Sequence, residues 1–500
     1  PSMVEDPPIS KAVEVVLRAI PCSVALPAGA GKTELIAASV AKAAQQGGTC
    51  LVLTHTHAGV DALRRRMKKF GVASDQVVVR TIDSWSYDLI AHFPSLAGLV
   101  VSVVPDWSKS AEYHRAAAQA ATSRAVGRML KVSYTHLFVD EYQDCLVDQH
   151  ELVLALAATV PTAVFGDPLQ SLFNFRENRP VDWESDVLPK FPAVEIDHRP
   201  RRWEPNHPAL GAWLVNIRQS LLKGLPVNLE GAPVRWVHRD NPRTYVQVCY
   251  QDLRLEGTTA VLGQFRPDCV KAASALKGTY LVMEAIDEKV TSTLAKQIDS
   301  DEGATVAKAV VEFAIECSSG LATHIRPDKR RRLGEGRSFT ARSPTLQPAY
   351  EAVLRVRNDP TPEAVGAALH LLSKLPNVTV HCREAWNEVT RSVAVAATDG
   401  CSVSEALSRT RNHARVVGRR PTAHVISRPL LVKGLEYDHV IILNPEKYSA
   451  QELYVALTRG SKSVTIISDT VVLPPAAIAS RHSKIAPRHS KILSPHPSLF

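Results

Sequence analysis

The sequence predicts an α/β fold of parallel sheets with helices on both faces, built as two such domains. Three observations predict it. Short apolar runs alternate with helical patterns from Val24 to Gly166, the same signature returns late in the chain, and 500 residues exceed what one compact core accommodates.

The early runs are SVAL (23–26), CLVLT (50–54), QVVVRT (76–81), HLFVD (136–140) and TAVFGD (162–167). Continuous apolar runs of this length suit parallel strands covered on both faces. Helical stretches such as TELIAASVAKAAQQ separate them, and such sheets bind ligands at the carboxyl ends of their strands. The later runs are TTAVLGQF (258–265), AHVISR (423–428), DHVIIL (438–443) and SVTIIS (463–468), with a helix around Ala450–Thr458. Between these early and late parts of the second set the strand pattern stops, and a largely helical insertion is expected. The predicted organisation is a first domain over 1–94 and 131–192 with a small helical insertion at 95–130. A second domain follows over 193–275 and 415–472, interrupted by the helical insertion 276–414 and followed by a basic tail, 473–500. That tail carries a repeat, RHSKIAP then RHSKILS, with no acidic residue, which predicts a flexible segment.

Composition narrows the function classes. At 45% hydrophobic and 22% charged the chain is ordinary for a globular protein. No apolar run is long enough to span a bilayer, and PSMVEDPPIS lacks the form of a signal peptide. A cytoplasmic protein with no membrane partner is expected. Eight cysteines without a CxxC pair argue against a disulfide framework or zinc ribbon, leaving free buried thiols. The net charge of +9 favours polyanionic partners. Basic clusters lie at Arg64–Arg66 with Lys68 and Lys69, at Arg199, Arg201 and Arg202, and at Lys329–Arg332.

The strongest local signal is PAGAGKT (27–33), which follows a strand and opens a helix. Here Pro27, Ala28, Gly29, Ala30 and Gly31 would turn backbone N–H groups inward to cradle phosphate oxygens. Lys32 would reach the β- and γ-phosphates, Thr33 would offer a hydroxyl to Mg²⁺, and the helix N-terminus favours the anion. Leu26 stands where the GxxxxGK(S/T) pattern has its first glycine. DEYQD (140–144) follows the strand HLFV, placing Asp140 to hold Mg²⁺ and Glu141 to accept a proton from the attacking water. Together these two motifs imply hydrolysis of ATP or GTP and nothing narrower.

GDPLQSLFNFR (166–176), with DEYQD, is where the sequence resembles superfamily 1 helicases of the UvrD/Rep type. The resemblance implies two RecA-like P-loop domains, with ATP and Mg²⁺ bound between them. It implies that Gln170 senses the γ-phosphate, and that Phe173 and Phe175, beside Arg176, stack on single-strand bases. LVLTHTHAGVDALRRRM (51–67) and VRTIDSWSYDLI (79–90) occupy the places of two strand-groove motifs, with Thr54, His55 and Trp85 as contact residues. EIDHRPRR (195–202) matches the motif that opens the second domain. Arg199 is there expected on the γ-phosphate and His198 where a tyrosine packs on adenine. VKGLEYDHVIIL (432–443) puts Glu436 on the ribose side, and ELYVALTRGSKSVTII (452–467) makes Arg459 an arginine finger. The implied activity is movement on single-stranded or tailed DNA, 3′ to 5′.

Several positions depart from that family. No N-terminal glutamine is present to read the adenine edge, since the first in the chain is Gln45. His55 and Ala58 replace a phenylalanine and a lysine, and Leu430 and Leu431 stand where a histidine and serine couple DNA to hydrolysis. The compact size and small insertions resemble the helicase-like subunit of the Gabija anti-phage system, which implies an OLD-family nuclease partner. A DNA-sensing regulatory ATPase with little unwinding is the alternative expectation.

Overall fold

The computed structural model describes residues 7–102, 105–172, 179–283, 288–338, 340, 343–417 and 423–474. It is an α/β protein with large parallel sheets flanked by helices. In the first sheet, β1 (Cys22–Ala25), β2 (Cys50–Thr54), β3 (Val77–Thr81), β4 (His136–Val139) and β5 (Thr162–Gly166) pair in the order β1-β5-β4-β2-β3. Every pairing is parallel. All residues of β2 and β5 are buried, as a strand covered on both faces requires. Helices α1 (Pro7–Ala19), α2 (Lys32–Gln45) and α3 (His57–Lys69) bury apolar side chains on one face, where Val16, Ile36, Val40 and Leu63 meet Val24, Val52 and Phe138.

On the opposite face lie α4 (Ile82–His92), α5 (Pro94–Ala97), α6 (Ser110–Thr122), α7 (Arg124–Ser133) and α8 (Val147–Ala157). Helix α7 ends at Ser133, with Leu130 fully buried in its last turn.

A short strand, β6 (Val227–Asn228), precedes the second sheet, whose first strands are β7 (Arg235–His238), β8 (Thr259–Leu262) and β9 (Leu281–Val282). Among the described residues, the helical region between contains six helices of twelve residues or more, from Glu288–Ser300 to Val403–Val417, and the two-residue strands β10 (Ser318–Ser319) and β11 (Thr379–Val380). The sheet resumes with β12 (His424–Ser427), β13 (Tyr437–Leu443) and β14 (Gly460–Ser468), giving the parallel order β7-β14-β13-β8-β12-β9. Strand β15 (Val472–Leu473) pairs back on β6. Strands β7 and β9 carry too few apolar residues to register in the sequence, being edges of the sheet. The seven-residue tail repeat lies outside the described residues.

All eight cysteines are free, and seven are buried. Among the described residues no helix is long and apolar enough to cross a membrane.

Three helices of the first unit are joined by charge. His114 on α6 is almost wholly buried, with Nδ1 2.6 Å from Asp148 Oδ2 on α8 and Nε2 2.8 Å from Asp83 Oδ1 on α4. Burial alone would lower its pKa, but the two carboxylates raise it from the ordinary histidine value to about 9. A raised pKa stabilises the fold fully below ~6.5 and loses that contribution as pH climbs through about 9. His114→Gln is expected to cost on the order of 2 kcal/mol at pH 6, since part of the charge interaction is screened at half-exposed Asp83. It should also flatten the fall in stability between neutral pH and pH 9. Urea unfolding at pH 6, 7.5 and 9 checks this; parallel pH profiles for variant and wild type would refute it.

Candidate nucleotide site

The carboxyl ends of β1, β2, β4 and β5 lie along one edge of the first sheet, and the sequence motifs converge there. The loop after β1 enters α2 through Gly29 (φ 71°) and Gly31 (φ 90°), conformations that glycine adopts without steric cost. Leu26 is not left-handed, is buried, and donates its N–H to Gly166 O at 3.0 Å. No glycine is needed at that position, which accounts for the departure from the usual pattern. Thr33, half-buried, follows Lys32 in the first turn of α2.

Lys32 Nζ donates to Glu141 Oε2 at 2.9 Å and lies 3.9 Å from Asp140 Oδ1. Burial works to lower the lysine's pKa, but Glu141 and Asp140 outweigh it and hold the value above the lysine norm. For Glu141, burial works upward and Lys32 with Lys433 prevails, holding it well below the carboxylate range. Asp140 is raised by burial despite Lys32. Glu141 itself sits at φ 55°, a strained conformation for a residue with a side chain, at the turn leaving β4.

One residue ties Glu141 to the next motif. Gln143, fully buried, donates from Nε2 to Glu141 Oε2 at 2.6 Å and accepts the N–H of Asp167 on Oε1 at 2.9 Å. Asp167 in turn accepts from Gln170 Nε2 at 3.0 Å and from Arg218 at 2.8 Å. Gln170 Oε1 accepts from Arg459 at 3.3 Å. A continuous chain of hydrogen bonds therefore runs from the loop lysine to Arg459, the residue before β14 of the second sheet. Arg459 is fully buried, and its remaining donors reach Val455 O at 3.0 Å and Leu435 O at 3.1 Å. Burial, with Arg202 adjacent, lowers its pKa.

Residues from later in the chain touch the loop itself. Tyr454 Oη accepts the N–H of Ala28 at 3.1 Å, and a Cβ on Gly29 would lie 2.6 Å from the Trp203 ring. Arg202 bonds Glu436 at 2.8 Å and Thr458 O at 2.6 Å. Lys433 is buried against the Asp144 carboxylate and donates to Gln170 O at 2.6 Å.

The expected site residues separate into three groups. Lys32, Glu141, Asp140, Gln170 and Arg459 are brought together, with Pro27–Thr33 forming the loop and Glu436 held through Arg202. Arg199 and His198 lie on the exposed rim, Arg199 beside Glu204 at 3.9 Å and His198 Nδ1 3.2 Å from Ile196 O. The strand-contact residues are less unified. Thr54 is buried at the end of β2, and His55 Nε2 lies 3.5 Å from Cys145 Sγ, its pKa lowered to about 4 by burial. Trp85, expected on a strand-facing surface, is packed into the apolar core with Leu51, Leu53 and Tyr113, because α4 turns that position inward. Phe173, Phe175 and Arg176 lie outside the described residues.

Gln143, Asp144, Lys433, Arg218, Trp203 and Tyr454 were not singled out from sequence, and Arg202 was noted only as part of a basic cluster. The first three stood inside motifs already recognised for other residues; Arg218 had no local signal, being one cation on a long helix.

The donor chemistry suits Mg²⁺. Asp140 and the Thr33 hydroxyl supply hard oxygen ligands, and Mg²⁺ takes only one or two protein ligands beside phosphates and water. Among the described residues no group of three or more His, Cys, Asp or Glu is arranged to hold a metal unaided.

A family model described as an AAA domain matches residues 10–176. That family is a P-loop, helicase-like one, and the matched stretch takes in PAGAGKT, DEYQD and GDPLQ. The matched stretch is accordingly a P-loop nucleoside triphosphatase domain. No curated protein matches it.

Gln143→Leu removes a donor and an acceptor at once. Expected are a 10- to 100-fold loss in kcat with KM for ATP changed less than threefold, and a destabilisation of about 1–3 kcal/mol from the orphaned Asp167 N–H. Steady-state kinetics with thermal melts decide it; an unchanged kcat would show that Gln143 serves folding alone.

Proposed function

We propose that this protein is an ATP-dependent DNA translocase or helicase of the UvrD-like superfamily 1 type, working in the cytoplasm and moving 3′ to 5′ on single-stranded DNA. The observation that carries the proposal is the hydrogen-bond chain from Lys32 through Glu141, Gln143, Asp167 and Gln170 to Arg459. It gives hydrolysis a structural reason to depend on how two parallel-sheet units meet.

In this reading Lys32 and the loop N–H groups bind the β- and γ-phosphates, with Thr33 and Asp140 holding Mg²⁺. The metal, when bound, neutralises developing phosphate charge. Glu141 orients the attacking water and takes its proton, leaving Lys32 for the phosphate. Gln170, Arg199 and Arg459 sense and stabilise the γ-phosphate, and Glu436 lies toward the ribose. Units over 1–192 and 193–472, each with its helical insertion, act as the two RecA-like domains. Thr54, His55, Phe173, Phe175 and Arg176 are the proposed strand contacts.

A second reading, a DNA-sensing regulatory ATPase working with an OLD-family nuclease, is favoured by the strand-contact positions. Trp85 is committed to the core, and His55 is held at Cys145.

Wild-type protein is expected to hydrolyse ATP, with at least tenfold stimulation by single-stranded DNA. Lys32→Ala should abolish turnover. Arg459→Ala should lower kcat by about 10³-fold while ATP affinity stays within a few-fold. Melting curves on the Arg459 variant are needed because that guanidinium also satisfies buried carbonyls. Absence of hydrolysis with and without DNA would overturn the proposal. Hydrolysis stimulated by DNA, with no unwinding of a tailed duplex and no translocation, would select the sensor.

A further inference from the structure

Arg202 begins at the phosphate loop and ends beside Arg459. Its backbone N–H donates to Gly29 O at 3.2 Å, and its Cβ lies 3.0 Å from where a Cβ on Gly29 would stand. Its largely buried side chain extends to Glu436, with Nε 2.8 Å from Oε2, and to Thr458 O, which accepts from Nη1 at 2.6 Å. Thr458 caps the helix Ala450–Leu457 and directly precedes Arg459. The residue therefore spans one gap, from the loop that would cradle the phosphates to the arginine that ends the hydrogen-bond chain. Glu141 and Arg459 both lie within electrostatic reach of its guanidinium.

The two arginines differ in the donors they have left. A guanidinium carries five N–H groups in a fixed fork. Arg459 commits Nε to Val455 O, Nη1 to Leu435 O, and Nη2 to both Gln170 Oε1 and Thr458 Oγ1. Arg202 keeps more in hand, because its Nη2 donates to no protein atom among the described residues. Its carboxylate partner, Glu436, is half-exposed, so that pair is screened and weak. A phosphate offers several charge-assisted acceptors in its place, with the geometry a guanidinium fork matches.

In the mechanism proposed above, the terminal phosphate of ATP lies between Glu141 and the Gln170–Arg459 end of the chain. Arg202 reaches that space from the side of Gly29, whereas Arg199 lies on the exposed rim beside Glu204. We infer that Arg202 is a further phosphate-binding residue of this site, exchanging Glu436 for the terminal phosphate when a triphosphate is bound. The exchange makes it a reader of phosphate number: a diphosphate leaves the pair with Glu436 intact, and a triphosphate parts it. The inference rests on the nucleotide-hydrolase reading above and adds to that site a residue that distinguishes ATP from ADP.

The test measures binding of ADP and of β,γ-imido-ATP, each with Mg²⁺, by displacement of a fluorescent ADP from wild type, Arg202→Ala, Arg202→Gln and Glu436→Gln. Both Arg202 variants should weaken the triphosphate analogue by about tenfold or more, the loss expected for a charged hydrogen-bond donor, and ADP by less than about threefold. Glutamine keeps a donor for Thr458 O without the charge, so agreement between the two variants separates phosphate contact from lost packing. Glu436→Gln should shift the ratio several-fold toward the triphosphate, since any loss at the ribose is common to both nucleotides. Parallel losses for ADP and the triphosphate, or a ratio unmoved in the Arg202 variants, overturn the inference and leave Arg202 as a brace for Glu436 and Thr458. If wild type binds nucleotide without hydrolysing ATP, the functional reading fails while the ratio still decides the role of Arg202. If wild type binds neither nucleotide, both fail.

Discussion

The site is organised around a buried ammonium that must always have an anion. Lys32 is 8% exposed, and a lone charge at that depth costs several kcal/mol, a large share of a protein's margin of stability. Glu141 supplies the counter-charge at 2.9 Å, and Asp140 adds to it. The same pairing quenches Glu141 as a base, because the lysine holds its proton affinity down. In the proposed mechanism a triphosphate brings its own negative charge to Lys32 and frees the carboxylate for water, so that one ion pair both compensates the buried lysine and withholds the base until there is a phosphate to attack.

That arrangement works only if Glu141 is held where the phosphate will be, and its backbone alone does not hold it. The residue is in a left-handed conformation that L-side chains rarely adopt. Gln143 secures it from one side and grips Asp167 from the other, which needs a donor and an acceptor on a single short side chain. Space for that amide comes from Gly166, where a Cβ would stand 2.7 Å from Gln143 Oε1 and 2.6 Å from the Trp183 ring. Residues from two motifs are therefore fixed by one amide and by one absent side chain.

Much of this was legible in the chain. The strands of the first sheet are continuous apolar runs, and parallel strands buried on both faces leave that mark. The loop was legible because its chemistry is local: glycines at left-handed positions, then a lysine at a helix start. The packing of Trp85 was not legible because its place in a motif says nothing about which way α4 faces, and the core around it includes α6. Strands β7 and β9 escaped notice as edges with little apolar content. Arg218 carried no signal, and Tyr454 stood inside a recognised motif with its partner unseen, since Asp167 and Ala28 lie far off in sequence.

The remaining question is why the loop should respond to the second sheet at all. The contacts answer it physically. Tyr454 occupies the N–H of Ala28, and Trp203 fills the space that Gly29 leaves, so the loop's shape is set partly by side chains outside its own sheet. Two ion pairs, Lys433 with Asp144 and Arg218 with Asp167, bracket Gln170, and each leaves a buried charge uncompensated if it parts. The charges are therefore stable with the units together, or with a nucleotide or water taking the vacated positions, but not in a dry half-open cleft. A site built this way favours discrete arrangements over gradual ones, and that is the property a nucleotide-driven switch requires.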